Sequence, residues 1–197
     1  MIHPDTEIKF INHQVGYGVV ATKFIPKGTI TWALDKLDIT FTPSDIINLE
    51  PIYKDILDKF TFRDRLGNSI LCWDNARYVN HSFNSNCVTT AYDYEIAVRD
   101  ILVGEELTDD YGYLNIEAPF ECLPENGTSR TIVKPDDLLH FHKEWDVKLI
   151  DGFSNFDKVP QALKVLISKE VWDQSINIAR GHQAMDSILN VYFDPRK

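Results

Sequence analysis

From Ile8 to Phe41 the apolar positions fall in short β-rich runs: Ile8 to Ile11, Val19 to Phe24, Thr29 to Ala33 and Leu37 to Phe41. Gly16, Gly18 and Pro26-Lys27-Gly28 punctuate them, a pattern that predicts strands joined by tight connections. The period then changes. Tyr53, Ile56, Leu57 and Phe60 stand at i, i+3, i+4 and i+7, which predicts a helix within residues 43–60. Pro51 should divide that helix or mark its start, because proline cannot donate the backbone hydrogen bond of a helix interior. Extended character returns after the Gly67-Asn68 turn, at Ser69 to Trp73, Val88 to Tyr94, Glu95 to Leu102 and Glu106 to Thr108. From about Lys134 the spacing is helical: first Leu138, Phe141, Trp145 and Leu149, then a first turn at Pro160 continued by Leu163, Leu166 and Ile167. A last helix is expected through Ala184, Met185, Ile188, Leu189 and Tyr192. The reading is α+β: a β-rich domain to about residue 130, then a helical C-terminal tail packed on it or on a partner, with no internal repeat.

Composition narrows the function classes. With 197 residues, 44% of them apolar, the chain can form a core without help from disulfides or metal. Acidic residues outnumber basic ones by 30 to 20, for a formal charge of −10, which argues against a general binder of nucleic-acid phosphates and favours a cationic partner. Cys72, Cys87 and Cys122 lie far apart and form no C-x-x-C pair, as expected of reduced thiols in an intracellular protein, cytoplasmic or nuclear. No apolar run approaches the length of a membrane span, and the first residues have no secretory-signal pattern.

Three phrases concentrate chemistry. Gly16-Tyr17-Gly18 would let the backbone approach a ligand while a ring contacts it, although by itself the tripeptide is far more often a plain hairpin turn and lacks the third glycine of a dinucleotide fingerprint. Asn80-His81-Ser82-Phe83-Asn84-Ser85-Asn86-Cys87 crowds donors and acceptors beside apolar neighbours; Asn suits an adenine edge, and a solvated turn is the plainer reading. Ser82 has no nucleophile elbow around it and cannot form a triad with adjacent residues. Gly104-Glu105-Glu106-Leu107-Thr108-Asp109-Asp110-Tyr111-Gly112-Tyr113 sets four carboxylates before two tyrosines but lacks the ligand alternation of a calcium loop.

Together, in this order and at these separations, the three phrases resemble the SET-domain protein lysine methyltransferases. The likeness covers residues 6–113, expected to be the SET domain, with 114–132 as a worn post-SET segment and 133–197 as a helical C-terminal extension. It implies small curved β-sheets in which the chain threads beneath an earlier loop as a pseudoknot. It further implies S-adenosyl-L-methionine as cofactor and the side-chain amine of a lysine, in a histone or other basic protein, as methyl acceptor. Carried over by position, Tyr17 and Gly18 line the cofactor's amino-acid end, Asn80 and His81 hold it near the adenine, Tyr111 is the catalytic tyrosine, and Arg77 braces the pseudoknot.

The departures from the family pattern are as informative. Phe83 and Ser85 stand where many members have Cys and Pro. Asp109 replaces an aromatic residue that often shapes the lysine channel, so Tyr92, Tyr94 or Tyr113 would have to supply the missing ring. Of the post-SET zinc motif only Phe120, Cys122 and Arg130 remain; one thiolate cannot make a four-ligand site, so no zinc is expected, while Phe120 and Leu123 could cover the cofactor by apolar packing. His140 and His142, two apart on a helix, face opposite ways and read as surface histidines. Two rival readings stand beside the enzyme: a non-catalytic SET module that binds lysine-rich proteins through an acidic channel, and an assembly protein acting through residues 134–193.

Overall fold

The computed structural model describes residues 1–194. Strands β1 (Thr6–Asn12) and β2 (Gly16–Ala21) form an antiparallel hairpin, with Phe10 opposite Tyr17 and Lys9 opposite Gly18. A three-stranded sheet has β9 (Tyr94–Ala97) at its centre, flanked by β3 (Ile30–Ala33) and β8 (Cys87–Thr89). A second has β6 (Ser69–Leu71) between β4 (Ile39–Phe41) and β5 (Thr61–Arg63). Two short pairs complete the set: β7 (Asn80–His81) runs parallel to β10 (Thr108–Asp109), and β11 (Phe120–Glu121) pairs with β12 (Ile132–Val133).

The helical insert is divided at Pro51 as its sequence predicts. Helix α1 (Pro43–Asn48) opens on a capping box between Thr42 and Asp45, and after a single 3-10 turn at Pro51–Tyr53 helix α2 (Lys54–Phe60) follows. Of the apolar positions that signalled the helix only Leu57 is buried; Tyr53 and Ile56 face solvent. The strands are shorter than the alternation implied: Val88 to Tyr94 is broken by a turn at Asp93 with φ of +60°, and the strand through Glu95 stops at Ala97.

Helix α3 (Asp137–Phe153) buries Leu138, Trp145, Leu149 and Phe153 against Val88, Tyr94 and Ile96, forming the larger core. The approach is close: a Cβ on Gly152 would stand 2.9 Å from the Ile96 side chain. No helix starts at Pro160. The Gln161 side chain accepts from the Ile30 amide at 2.8 Å and donates to the carbonyls of Gly28 and Phe156, which pins this stretch across the end of β3 as a loop. Leu166 ends a 3-10 turn, and helix α4 (Lys169–Ala179) begins later, where the Ser168 hydroxyl accepts from the Val171 amide. The expected last helix is only a 3-10 turn, Ile188–Val191, because Asp146 accepts from both the Ser187 hydroxyl and the Ile188 amide and ties the segment to α3. A second core, with Val19, Ile25, Trp32, Val79, Ile101 and Leu107, lies under the hairpin and the short parallel pair. Among the described residues no helix is long and apolar enough to cross a membrane.

Candidate active site

The three sequence phrases converge on β7 and β10. Asn80 lies opposite Thr108, and the Asn80 amide Nδ2 donates to the Tyr17 carbonyl at 3.0 Å and to Glu106 Oε1 at 2.7 Å, linking all three in one side chain. Gly18 is where it is because of this junction: a Cβ there would fall 2.1 Å from Glu106 Oε1 and 2.8 Å from Asn80 Nδ2. Tyr17 projects from the hairpin, 57% exposed, edge-on to Phe10.

His81 organises the next layer. Its Nδ1 accepts from the Tyr111 amide at 3.1 Å, which fixes the proton on Nε2 in the neutral ring, and that buried Nε2 has no partner among the described residues. Burial lowers the His81 pKa, outweighing the attraction of Asp110 and Glu125 for the charged form. Phe83, Tyr111 and Phe120 surround the imidazole with centroids 4.4, 5.4 and 6.1 Å away. The segment after β11 is held there by Glu125, which accepts from the Ser82 hydroxyl at 2.8 Å and the Phe83 amide at 3.2 Å. Phe120 thus joins the ring cluster, while Leu123 points outward, 57% exposed.

On the other side of Tyr111 opens a cavity of about 560 Å³. Tyr111 lines it, its hydroxyl donating to the Val79 carbonyl at 2.6 Å; burial raises its pKa, so it stays protonated. Trp32, Phe60, Phe62 and Phe120 supply the other rings of the wall. None of the tyrosines expected to replace the missing channel ring lines it. Tyr92 and Tyr94 stack on each other in the helix-facing core, and Tyr113 packs edge-on against Trp145. The cavity also holds two buried carboxyls, Glu95 and Asp109, which share a side-chain hydrogen bond. The Tyr113 hydroxyl lies 3.2 Å from Asp109 Oδ1. Burial raises the pKa of both carboxyls, Asp109 to about 7.

Arg77 does not brace this junction: it is exposed, its guanidinium reaching the Trp73 carbonyl at 3.5 Å and lying over the Tyr78 ring. The brace is Arg130, which pairs with Asp110 and, at 2.7 Å, with Asp137, and is sandwiched between the rings of Phe83 and Phe141. These two ion pairs fasten the segment before β12 to Asp110 on one side and to the start of α3 on the other. Among the described residues no group of three or more His, Cys, Asp or Glu side chains is placed to hold a metal ion. His140 bonds Asp136 within its own helix, and His142 bonds the helix's own carbonyls. Sequence reading missed Glu95, Glu125 and the role of Arg130; only Arg130 carried a signal, as a survivor of the post-SET pattern.

No curated protein matches the chain. Residues 16–112, which contain the hairpin glycines, Asn80, His81, the buried carboxyl pair and Tyr111, match the family model of the SET domain, and the chain belongs to the SET-domain family.

Proposed function

We propose that this protein transfers a methyl group from S-adenosylmethionine to the side-chain amine of a lysine in a basic protein. SET domains are typically lysine methyltransferase modules. The observation that carries the reading is the junction at Asn80 and His81: residues from three distant phrases are joined by short hydrogen bonds, a buried ring nitrogen has no partner among the described residues, and Tyr111 separates that junction from a cavity. Tyr17, Gly18, Asn80 and His81 would hold the cofactor, with Phe120 and Leu123 as its apolar cover. The parallel pairing of β7 with β10 supports the threaded, pseudoknot-like arrangement of the family.

S-adenosylmethionine supplies a methyl group on positively charged sulfur, so the protein must above all present a neutral amine in line with it at about 3 Å. The chain's residues suit that task. The Tyr111 hydroxyl, fixed by Val79, orients the amine, and the ring-lined cavity strips water from it, which disfavours the ammonium form. The charge of −10 steers basic substrates toward the site.

Calorimetric titration with S-adenosylmethionine tests the reading. The wild type should bind at micromolar Kd, about −8 kcal/mol; Asn80→Ala should abolish binding, and Tyr111→Phe should bind but lose roughly 100-fold in methyl transfer to mixed basic proteins. A folded wild type that binds no cofactor would overturn the enzyme reading in favour of a lysine-binding module.

A further inference from the structure

The carboxyls of Glu95 and Asp109 have no task in the chemistry described so far, yet their placement is costly. Both are over 90% buried, in hydrogen-bond contact with each other, on the wall of the same cavity as Tyr111. Of the cations along that cavity, Lys54 pairs with Asp58 at 2.7 Å and Arg63 with Glu117, while Lys59 lies over the Phe60 ring and Arg77 over the Tyr78 ring. Among the described residues no basic side chain pairs with either member of the dyad. The same wall carries an orphan donor: the indole Nε1 of Trp32, paired in register with Glu95, is buried with no acceptor among the described residues. Unpaired donor and uncompensated acceptors in one cavity wall are the lining of a polar guest; a site meant only to be packed would be better filled by apolar side chains.

We propose that the Glu95–Asp109 dyad is the inner end of the amine site, receiving the ammonium group of the incoming lysine and taking one of its protons. The inference rests on the methyltransferase reading for the identity of the guest. Two carboxyls in contact do not both ionise, so above about pH 7 the empty dyad carries one shared proton and one negative charge. In the step proposed, one N–H bond of the ammonium breaks with its electron pair remaining on nitrogen, and the proton forms an O–H bond on the unprotonated carboxylate. The dyad becomes neutral, and the amine keeps the lone pair that attacks the methyl carbon.

Other groups facing the pair do not compete for that proton. Tyr111, Tyr113, Cys87 and Cys72 are all kept protonated by burial, Asp110 is held by Arg130, and the Met1 amino group pairs with Asp35.

Titration of the whole chain with n-butylammonium chloride, followed by NMR at the Trp32 indole N–H and the side-chain carboxyl carbons of Glu95 and Asp109, tests the site without any cofactor. Wild-type signals from all three residues should move together, and Glu95→Gln or Asp109→Asn should weaken binding about tenfold or more. The wild-type carboxyl shifts need no variant and so stand even if a variant fails to fold. A second arm follows methyl transfer to a lysine peptide against pH: the acidic limb of kcat/KM should be displaced in Asp109→Asn, a change that a purely structural role would not produce. Unmoved carboxyl signals, or variants with wild-type binding and pH profile, overturn the proposal. A wild type that transfers no methyl group overturns the methyltransferase reading instead, and the butylammonium arm still decides the dyad.

Discussion

Asp109 and Asp110 are neighbours in sequence and both are buried, but they live in opposite electrostatic worlds. Asp110 faces the guanidinium of Arg130 and also accepts from the Gly112 amide at 3.0 Å. Burial pushes its pKa up, and the Arg130 contacts push back. Asp109, the last residue of β10, meets another carboxyl and a tyrosine hydroxyl and pairs with no cation among the described residues. A single step along the chain, from the end of β10 to the cap of the next turn, thus separates a carboxylate that holds the fold from one that strains it. Burial alone does not reveal what a charged side chain is for; its partners do.

Breaking the satisfied side should have the largest effect. Arg130→Met leaves Asp110 and Asp137 buried without a counter-charge, and denaturant unfolding should show a loss of about 3 to 5 kcal/mol. The unsatisfied side should respond with the opposite sign. Because burial raises the Asp109 pKa to about 7, the folded chain keeps a proton there that the unfolded chain releases near pH 4. That residue's contribution to stability therefore declines as pH rises from about 4 through about 7 and is flat above. Asp109→Asn, which cannot ionise, should be more stable than wild type at pH 8 by on the order of 1 kcal/mol, with the difference shrinking toward pH 4. Thermal unfolding of both proteins across that range checks it. A carboxylate outside the comparison sets the baseline: Asp151, exposed and paired with Lys27 at 2.9 Å, should matter little, and Lys27→Ala should change stability by less than about 1 kcal/mol.

The contrast also explains what could be read from sequence. The hairpin, the divided insert, helix α3 and the convergence of Gly18, Asn80, His81 and Tyr111 follow from local pattern and from motif order, because each depends on residues whose type is dictated by backbone shape or by hydrogen-bond capacity. Arg77 and Arg130 could not be ranked as braces, since an ion pair depends on which carboxylate lies nearby in space. Glu95 looked like any polar position in a strand; its significance comes from the register that sets β9 opposite β3 and leaves both carboxyls in one cavity. Pro160 is compatible with a helix start, but the hydrogen bonds of Gln161 to Gly28 and Ile30 outweigh that preference.

Those Gln161 bonds have a consequence for synthesis. They span 131 and 133 positions of the chain, and they close the start of β3, a flanking strand of the sheet centred on β9. At roughly 5 to 20 residues per second, the Ile30 amide must wait on the order of ten seconds on the ribosome before its partner is made. The nascent β-rich half is therefore exposed to off-pathway strand pairing during that interval. Slow, late closure of this kind makes the yield of folded protein sensitive to translation rate and to chaperones, even with the mature molecule's stability unchanged.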